Sequence, residues 1–289
     1  MSTITIGRVT LNTSNENKIL FPKDGITKGD IINYYASMAD IMLPFMQNRP
    51  ISMQRFPEGI HQESFYQKDK SEFFPSWIDS VTVEKKSGGD TEYVIINNAA
   101  TLVYLANLAC LTPHLWLSSI PHLKKPDRII FDLDPAPTNS FADVKEAAFA
   151  LKELLEELGL TSFALLTGSK GIHVIVPIKP NYTYAKVRQF TKQVAEVLMQ
   201  RHPDLYTINP RKEKRKKLLL IDYFRNGFGA TGVAPYAVRA KDGAPVAAPV
   251  TWDELSRVKA SNQFTIKTIK KRPHWKTIWQ RFFELKQKL

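Results

Sequence analysis

The residues best suited to chemistry sit in Phe131-Asp132-Leu133-Asp134-Pro135, at the end of the run RIIFDLD. An apolar run of this kind predicts a strand. Side chains alternate faces along a strand, so Asp132 and Asp134 share one face while Leu133 turns to the core. Two carboxylates roughly 7 Å apart on one face repel each other, and a divalent cation between them removes the repulsion. Hard cations such as Mg²⁺ or Mn²⁺ take oxygen ligands. A second apolar run, KLLLID, delivers a third acid, Asp222. Three carboxylates can hold two metals about 4 Å apart, the arrangement used for phosphoryl transfer. On its own, Asp-x-Asp-Pro is more often a turn at a strand exit, so the wider chain has to decide.

Composition narrows the classes. Lys and Arg number 40 and Asp and Glu 28, giving a formal charge of +12 over 289 residues. A polyanion such as nucleic acid would offset that self-repulsion, although charge by itself equally fits a merely basic soluble protein. The single cysteine, Cys110, excludes a disulfide within the chain and a cysteine-based zinc site. It also points to a reducing cytoplasm. Cys110 lies in the apolar run Leu105–Leu111 and reads as core packing. The opening MSTITIGRVTL has no apolar signal-peptide core, and no stretch of about twenty apolar residues exists to span a membrane.

The elements that must position the acids follow from pattern. TITIGRVTL predicts a strand. Thr27 caps a helix over Lys28–Gln47, with Asp30 three residues on. ISMQRFP and SFYQKD read as short strands separated by the turn residues Pro57 and Gly59. TVEKK and EYVII form a hairpin around Ser87-Gly88-Gly89-Asp90. Thr101–Leu108 reads as a helix and Leu115–Ser119 as a strand. Ser140 and Asp143 make a capping box for a helix through Leu158, ended by Gly159. FALLTGSKGIHVIVPI is two apolar runs broken by a Gly-containing turn. Helices follow at Thr183–Gln200, from Trp252–Arg257 and over Lys276–Lys288. Irregular alternation with hairpins predicts an α/β or α+β protein with a mixed sheet, not a doubly wound parallel one. The run Arg211–Lys217 carries six cations and one Glu directly before the Asp222 strand. Charge runs are usually solvated loops, but this position favours contact with a nucleic-acid backbone.

Several stretches together resemble the archaeo-eukaryotic primase superfamily, and more narrowly the polymerase domain of bacterial and archaeal ligase D. These are SNENKILFPKDGITKGDIINYY, RPISMQRFPEGI, SFYQKD, FDLDP, TGSKGIHV and IDYFRNGFGATGVAPYAVRAKDGAPVAAPVTWDEL. The resemblance covers nearly the whole chain and leaves no room here for a ligase or phosphoesterase domain. It implies one primase-polymerase catalytic domain: an N-terminal αβ part over about 1–120 with a DNA-end pocket, and an RNA-recognition-motif-like catalytic part over about 121–289.

The resemblance also implies residue roles. Its metal acids fall on Asp132, Asp134 and Asp222, the three that strand alternation selects, with two divalent ions, Mn²⁺ or Mg²⁺, as cofactors. Its nucleotide-binding turn falls on Thr167–His173, where the family usually has Ser at the position of Thr167. Backbone N–H groups of such a turn can bind phosphate oxygens, with Ser169, Lys170 and His173 as further donors. Arg239 and His114 match family residues that reach the incoming nucleotide. Asn15, Lys18 and Lys28 match a pocket for the 5′-phosphate across a gap, and Lys28 opens a helix, whose free N–H groups favour anions. Arg55, Phe65, Tyr66 and Lys68 match residues that stack on and neutralise DNA near the break; Gln54 stands where the family often has Lys. Arg215 matches a residue near the template, while Arg225 and Asn226 follow Asp222 and are expected to line the same cleft. The implied reaction is template-directed transfer of nucleoside monophosphates from NTPs or dNTPs to a 3′-hydroxyl at a 5′-phosphorylated break or gap. Ku and a separate DNA ligase are the expected partners, with no membrane, in the cytoplasm of a prokaryote. The alternatives are a non-catalytic end-bridging module, a primase that starts chains de novo, and, less in keeping with the Thr167–His173 turn, a metal nuclease.

Overall fold

The computed structural model describes residues 2–85 and 88–289; Ser87, the first residue of the expected SGGD turn, lies outside them. The chain divides into two compact units, Met1–Trp116 with Val233–Val246, and Leu117–Gly232 with Ala247–Leu289. No helix among the described residues is long and apolar enough to cross a membrane.

In the first unit, β1 (Ser2–Ile6) and β2 (Val9–Thr13) pair antiparallel. The sequence suggests one strand here; Gly7, at φ +59°, turns it into a hairpin. Two short antiparallel strands, β3 (Ile19–Phe21) and β4 (Ile26–Thr27), lead into α1 (Lys28–Met46). The Thr27 hydroxyl accepts from the Asp30 N–H, and the Asp30 carboxylate accepts from the Thr27 N–H, the expected capping box. Ile31, Tyr35, Met38 and Met42 recur at helical spacing and are fully buried.

The rest of this unit comprises β5 (Ile51–Arg55), β6 (Phe65–Gln67), the hairpin strands β7 (Ser80–Glu84) and β8 (Asp90–Val94), α2 (Ala99–Asn107) and β9 (Cys110–Trp116). β5 pairs antiparallel with both β6 and β9. β9 starts five residues before the expected strand at Leu115. The apolar run Leu105–Leu111 carries no marker for its switch from helix to strand, which occurs at Ala109, φ +56°. Cys110 is buried as expected, and burial pushes its thiol up to about 12. The returning segment Val233–Val246 is pinned to α1: the Tyr34 hydroxyl donates to Tyr236 O (2.8 Å) and the Val238 N–H donates to the Tyr35 hydroxyl (3.0 Å).

The second unit contains β10 (Arg128–Asp134), α3 (Phe141–Glu157), β11 (Phe163–Leu166), β12 (Ile172–Pro177), α4 (Tyr184–Arg201), β13 (Tyr206–Thr207), α5 (Lys212–Arg215) and β14 (Leu219–Asp222). β15 (Thr231–Val233) leads the chain back to the first unit; β16 (Ala248–Val250) and α6 (Trp252–Arg257) follow its return. The sheet runs β13-β14-β10-β12-β11-β16. Its β13–β14 pair is parallel and the other described pairs antiparallel, the expected mixed α/β arrangement. β10, the acid-bearing strand, therefore lies inside the sheet between β12 and β14.

The C-terminal helix expected over Lys276–Lys288 is absent. One 3₁₀ turn, Gln280–Phe283, takes its place. Residues three apart eclipse in that geometry, and buried Trp279 and Phe282 stack at 5.3 Å, each ring against Phe163. Beyond the turn the Gln287 amide bonds to Thr161 N and O and to Pro177 O, holding the tail extended.

Candidate active site

Cross-strand register builds the acidic cluster. Asp132 stands opposite His173 of β12 on one side and opposite Asp222 of β14 on the other. Directly opposed residues in an antiparallel pair have Cβ atoms about 4.5–5.5 Å apart. Asp134 lies two residues along the same strand, opposite Leu220, so all three acids fall within the three-residue ladder of β10 and β14.

Cationic side chains surround them. Arg225 bonds Asp132 Oδ2 through Nε (3.2 Å) and Nη2 (3.1 Å), and its Nε lies 3.8 Å from Asp222. His173 Nε2 is 3.5 Å from Asp132 Oδ1, and Arg215 Nη1 donates to Asp134 Oδ2 at 2.8 Å. Burial alone would raise the Asp132 carboxyl, but His173 and Arg225 outweigh it and hold the group at about 2. Asp222 moves the other way: burial and the adjacent Asp132 charge push it up, although the Phe224 N–H donates to it at 2.7 Å. The cluster is short of positive charge at Asp222 even with two arginines beside it.

These residues fit a hard divalent cation in donor chemistry and in charge. Among the described residues, no three His, Cys, Asp or Glu side chains already converge on one metal position. The reason is visible in the ion pairs: Asp134 is turned to Arg215 and Asp132 to Arg225. Arg215, expected near a template, is buried against an acid instead, its Nε without a hydrogen bond.

Close packing and buried hydrogen bonds fix this end of the sheet. A Cβ on Gly171 would meet Leu133 O at 2.4 Å, so only glycine lets the 167–171 turn lie against β10. A Cβ on Gly232 would meet Ile130 Cδ1 at 2.4 Å. Asn226 requires a correction. It is expected to line the cleft but is fully buried: Oδ1 accepts from Ile130 N, and Nδ2 donates to Ile130 O and Tyr223 O. It closes the backbone hydrogen bonding of β10 and is out of reach of DNA.

The turn itself is tightly held. Thr167 donates its hydroxyl to Gly171 O (3.0 Å), and Ser261, 90 residues away, donates to the same carbonyl (2.7 Å). The Thr167 hydroxyl, expected to face a nucleotide, shapes the turn and accepts from the Ser169 N–H (3.4 Å). The Gly168 and Lys170 N–H groups have no partner among the described residues. Lys170 is exposed, and buried His173 has an unpaired Nδ1.

The first unit carries the remaining candidates. Asn15 and Lys18 line a cleft of about 650 Å³ with Glu16. Lys28 is 6% exposed, donates to Ser14 Oγ (3.3 Å), and has its ammonium pushed down by burial and by Lys18. The free N–H groups expected at the start of α1 are not free: Lys28 N donates to Lys18 O and Gly29 N to Glu16 O, both at 2.8 Å, and Asp30 N donates to Thr27. Any anion there would depend on side chains. Lys18 also pairs with Glu58 at 2.6 Å. Sequence reasoning passed over Glu16, Glu58 and Ser261, because their contacts depend on chain proximity and on no local motif.

Arg55 donates to Leu108 O and Gln67 and lies over the Phe65 ring, while Phe65, Tyr66 and Lys68 are exposed. Gln54, where a Lys is common, lies 3.5 Å from His114, whose ring packs on Tyr66. Arg239 is half-buried on the returning segment, its N–H bonded to Pro245 O.

Comparison with known proteins adds to this geometry. Residues 27–278 match the family described as LigD, primase-polymerase domain. The chain is 34% identical over 260 residues to the bifunctional non-homologous end joining protein LigD of Bacillus subtilis, covering 90% of this chain and 42% of that protein. It is 36% identical over 256 residues to the multifunctional non-homologous end joining DNA repair protein LigD of Mycobacterium tuberculosis, covering 86% and 33% respectively. The chain thus spans less than half the length of these relatives. Among solved structures it is similar to the polymerase domain from Mycobacterium tuberculosis ligase D in complex with DNA, with a TM-score of 0.84, 31% identity and 94% of each chain covered.

Proposed function

The chain belongs to the LigD primase-polymerase domain family, and from that premise we propose that it is a template-directed nucleotidyltransferase of end-joining repair. It extends 3′ ends and fills gaps at DNA breaks with NTPs or dNTPs. The observation that carries this reading is the cross-strand pairing of Asp132 with Asp222, with Asp134 two residues along β10 in the same ladder.

Asp132, Asp134 and Asp222 would hold two divalent ions, Mn²⁺ or Mg²⁺, which when bound supply charge stabilisation and a more acidic 3′-hydroxyl. The chain's own groups do the rest. Arg215 neutralises Asp134 through Oδ2 and leaves Oδ1 for a metal, and a template phosphate is the partner that would draw the guanidinium away. Lys170 and the Gly168 and Lys170 N–H groups are the donors suited to a triphosphate. His173 Nε2 lies 3.5 Å from Asp132, and its buried, unpaired Nδ1 is the ring nitrogen left for a further bond. By the family resemblance, Arg239 and His114 of the first unit are also assigned to the nucleotide. Phe65 and Tyr66 stack on bases near the break, with Lys68 and Arg55 beside them.

Asn15, Lys18 and Lys28 hold the 5′-phosphate on the far side of a gap. Two ammonium groups close enough to depress one of them are stabilised when a dianion arrives. A ligase to seal the product and Ku to hold the ends are the partners this reading requires.

The deciding experiment offers a gapped, 5′-phosphorylated duplex with Mn²⁺ and compares NTP with dNTP incorporation, alongside an unprimed single strand. Gap filling without products on the unprimed strand is expected. Products on the unprimed strand would make it a de novo primase, and DNA binding without any extension would make it an end-bridging module.

A further inference from the structure

The C-terminal segment holds most of the chain's excess charge. From Lys259 to Leu289 there are nine Lys and Arg against one acid, Glu284, a net +8 of the chain's +12. Lys267, Lys270, Lys271 and Lys276 fall within ten residues that contain no acid. All four are exposed, and none forms an ion pair with a described residue. Charge runs are usually solvated loops, so the way this segment is held matters.

It is fastened to the second unit along its length. Phe264, Ile269, Arg272, Trp279 and Phe282 are buried. Arg272 lies over the Phe264 ring, its Nε donates to Glu254 (3.0 Å) and its Nη2 to Pro249 O (2.9 Å). Trp279 Nε1 donates to Val250 O (3.2 Å). The lysines are thus carried on a scaffold tied to β16 and α6, with a 3₁₀ turn at Ile269–Lys271. Burial and the Lys276 charge push the Lys270 ammonium down, so these two cations stand close together. Like charges fixed together with no acid between them repel until an anion arrives.

Two observations choose the anion. Among the described residues, none of the exposed large hydrophobics lies between Lys259 and Phe282, and a membrane or protein docking face would carry them. The segment also starts at the 167–171 turn, where Ser261 donates to Gly171 O (2.7 Å). Lys267 is six residues further on, so its Cα lies within about 22 Å of Ser261, the rise of about six base pairs. We propose that Lys267, Lys270, Lys271 and Lys276 grip the phosphate backbone of the duplex arm that carries the primer end, beyond the nucleotide turn. Lysine, a flexible point charge, suits a backbone contact that ignores base sequence. This surface rests on the polymerase reading above.

The test is fluorescence-anisotropy titration of the full chain, over a range of salt, with gapped, 5′-phosphorylated duplexes. Their primer arms are hairpin-capped and about six or about eighteen base pairs long, the downstream arm being constant. The longer arm should bind about tenfold tighter. Lys267→Ala, Lys270→Ala, Lys271→Ala and Lys276→Ala combined should erase that gain and make the slope of log Kd against log salt shallower by about three. Binding and extension of the short-armed duplex should be unchanged. The same four positions changed to Arg should keep the gain, which separates lost charge from lost folding. A control combining Lys124→Ala, Lys125→Ala, Lys186→Ala and Lys192→Ala, four exposed lysines elsewhere in the second unit, should keep it too. Equal binding of the two arms by the unaltered chain overturns the assignment. So does a gain that survives in the four-alanine variant when its thermal unfolding is unchanged, and so does a loss matched by the control or equal for both arms. Failure of the unaltered chain to extend the short-armed duplex would instead count against the polymerase reading.

Discussion

Asp132, Asp134 and Asp222 stand on adjacent strands inside a sheet, where pairing sets their spacing before any ligand arrives. Asn15, Lys18 and Lys28 stand in a loop and at the first residue of a helix, joined by a few backbone bonds such as Lys18 N to Asn15 O (2.9 Å) and Lys28 N to Lys18 O (2.8 Å). Both places gather like charges and both offset them within the protein. The acids have Arg225, Arg215 and His173, and the lysines have Glu58 and Glu16. The difference lies in rigidity. Chemistry at a reacting centre needs donors fixed to a fraction of an ångström, and interior strands supply that. The proposed end-binding cleft needs only charge and reach, which a loop supplies.

Four measurements would break or sharpen this contrast. The largest effect is expected from Asp132→Ala with Asp134→Ala: primer extension should fall by on the order of a thousandfold or more, while gel-shift binding of gapped DNA persists. Extension that survived would end the metal assignment. Next, Gly171→Ala should lower unfolding free energy by about 1–3 kcal/mol in denaturant melts, because its Cβ would strike the Leu133 carbonyl. A neutral result would mean that the acid-bearing register is softer than the lysine cleft.

Third, Lys18→Ala with Lys28→Ala should remove the preference for a 5′-phosphorylated over an unphosphorylated gap, a difference of about tenfold or roughly 1.4 kcal/mol. A double variant that kept the preference would place the phosphate elsewhere. The smallest effect concerns pH. On the proposed reading the phosphate is held by protonated Lys28, whose ammonium burial and Lys18 push down. Binding therefore weakens as pH rises, beginning below the ordinary lysine range. Lys28→Arg, always charged, should flatten that decline in a binding titration against pH.

Much of the fold was legible because its signals are local. Thr27–Asp30 and Ser140–Asp143 announce helix starts within four residues, and both boxes form. RIIFDLD announces a strand that carries its acids on one face, and β10 spans those seven residues. Local reading failed where the partner lay far along the chain. Lys276–Lys288 has helical composition, yet Trp279 and Phe282 pack on Phe163 and the tail extends along Thr161 and Pro177. Asn226 looks like a polar loop residue, yet it completes the hydrogen bonds of Ile130, 96 residues away.

By itself, then, the sequence determined the acid-bearing strand, the helix starts, the buried lone cysteine and membership of the family. Only the tertiary structure decided that Asp222 faces Asp132, that Arg215 and Arg225 cover the acids, and that Ser261 ties the 167–171 turn. It alone decided that the first N–H groups of α1 are spent on the preceding loop. The physical reason is range. Backbone periodicity and capping act over a few residues, whereas strand register and ion-pair choice are settled by burial among segments about a hundred residues apart.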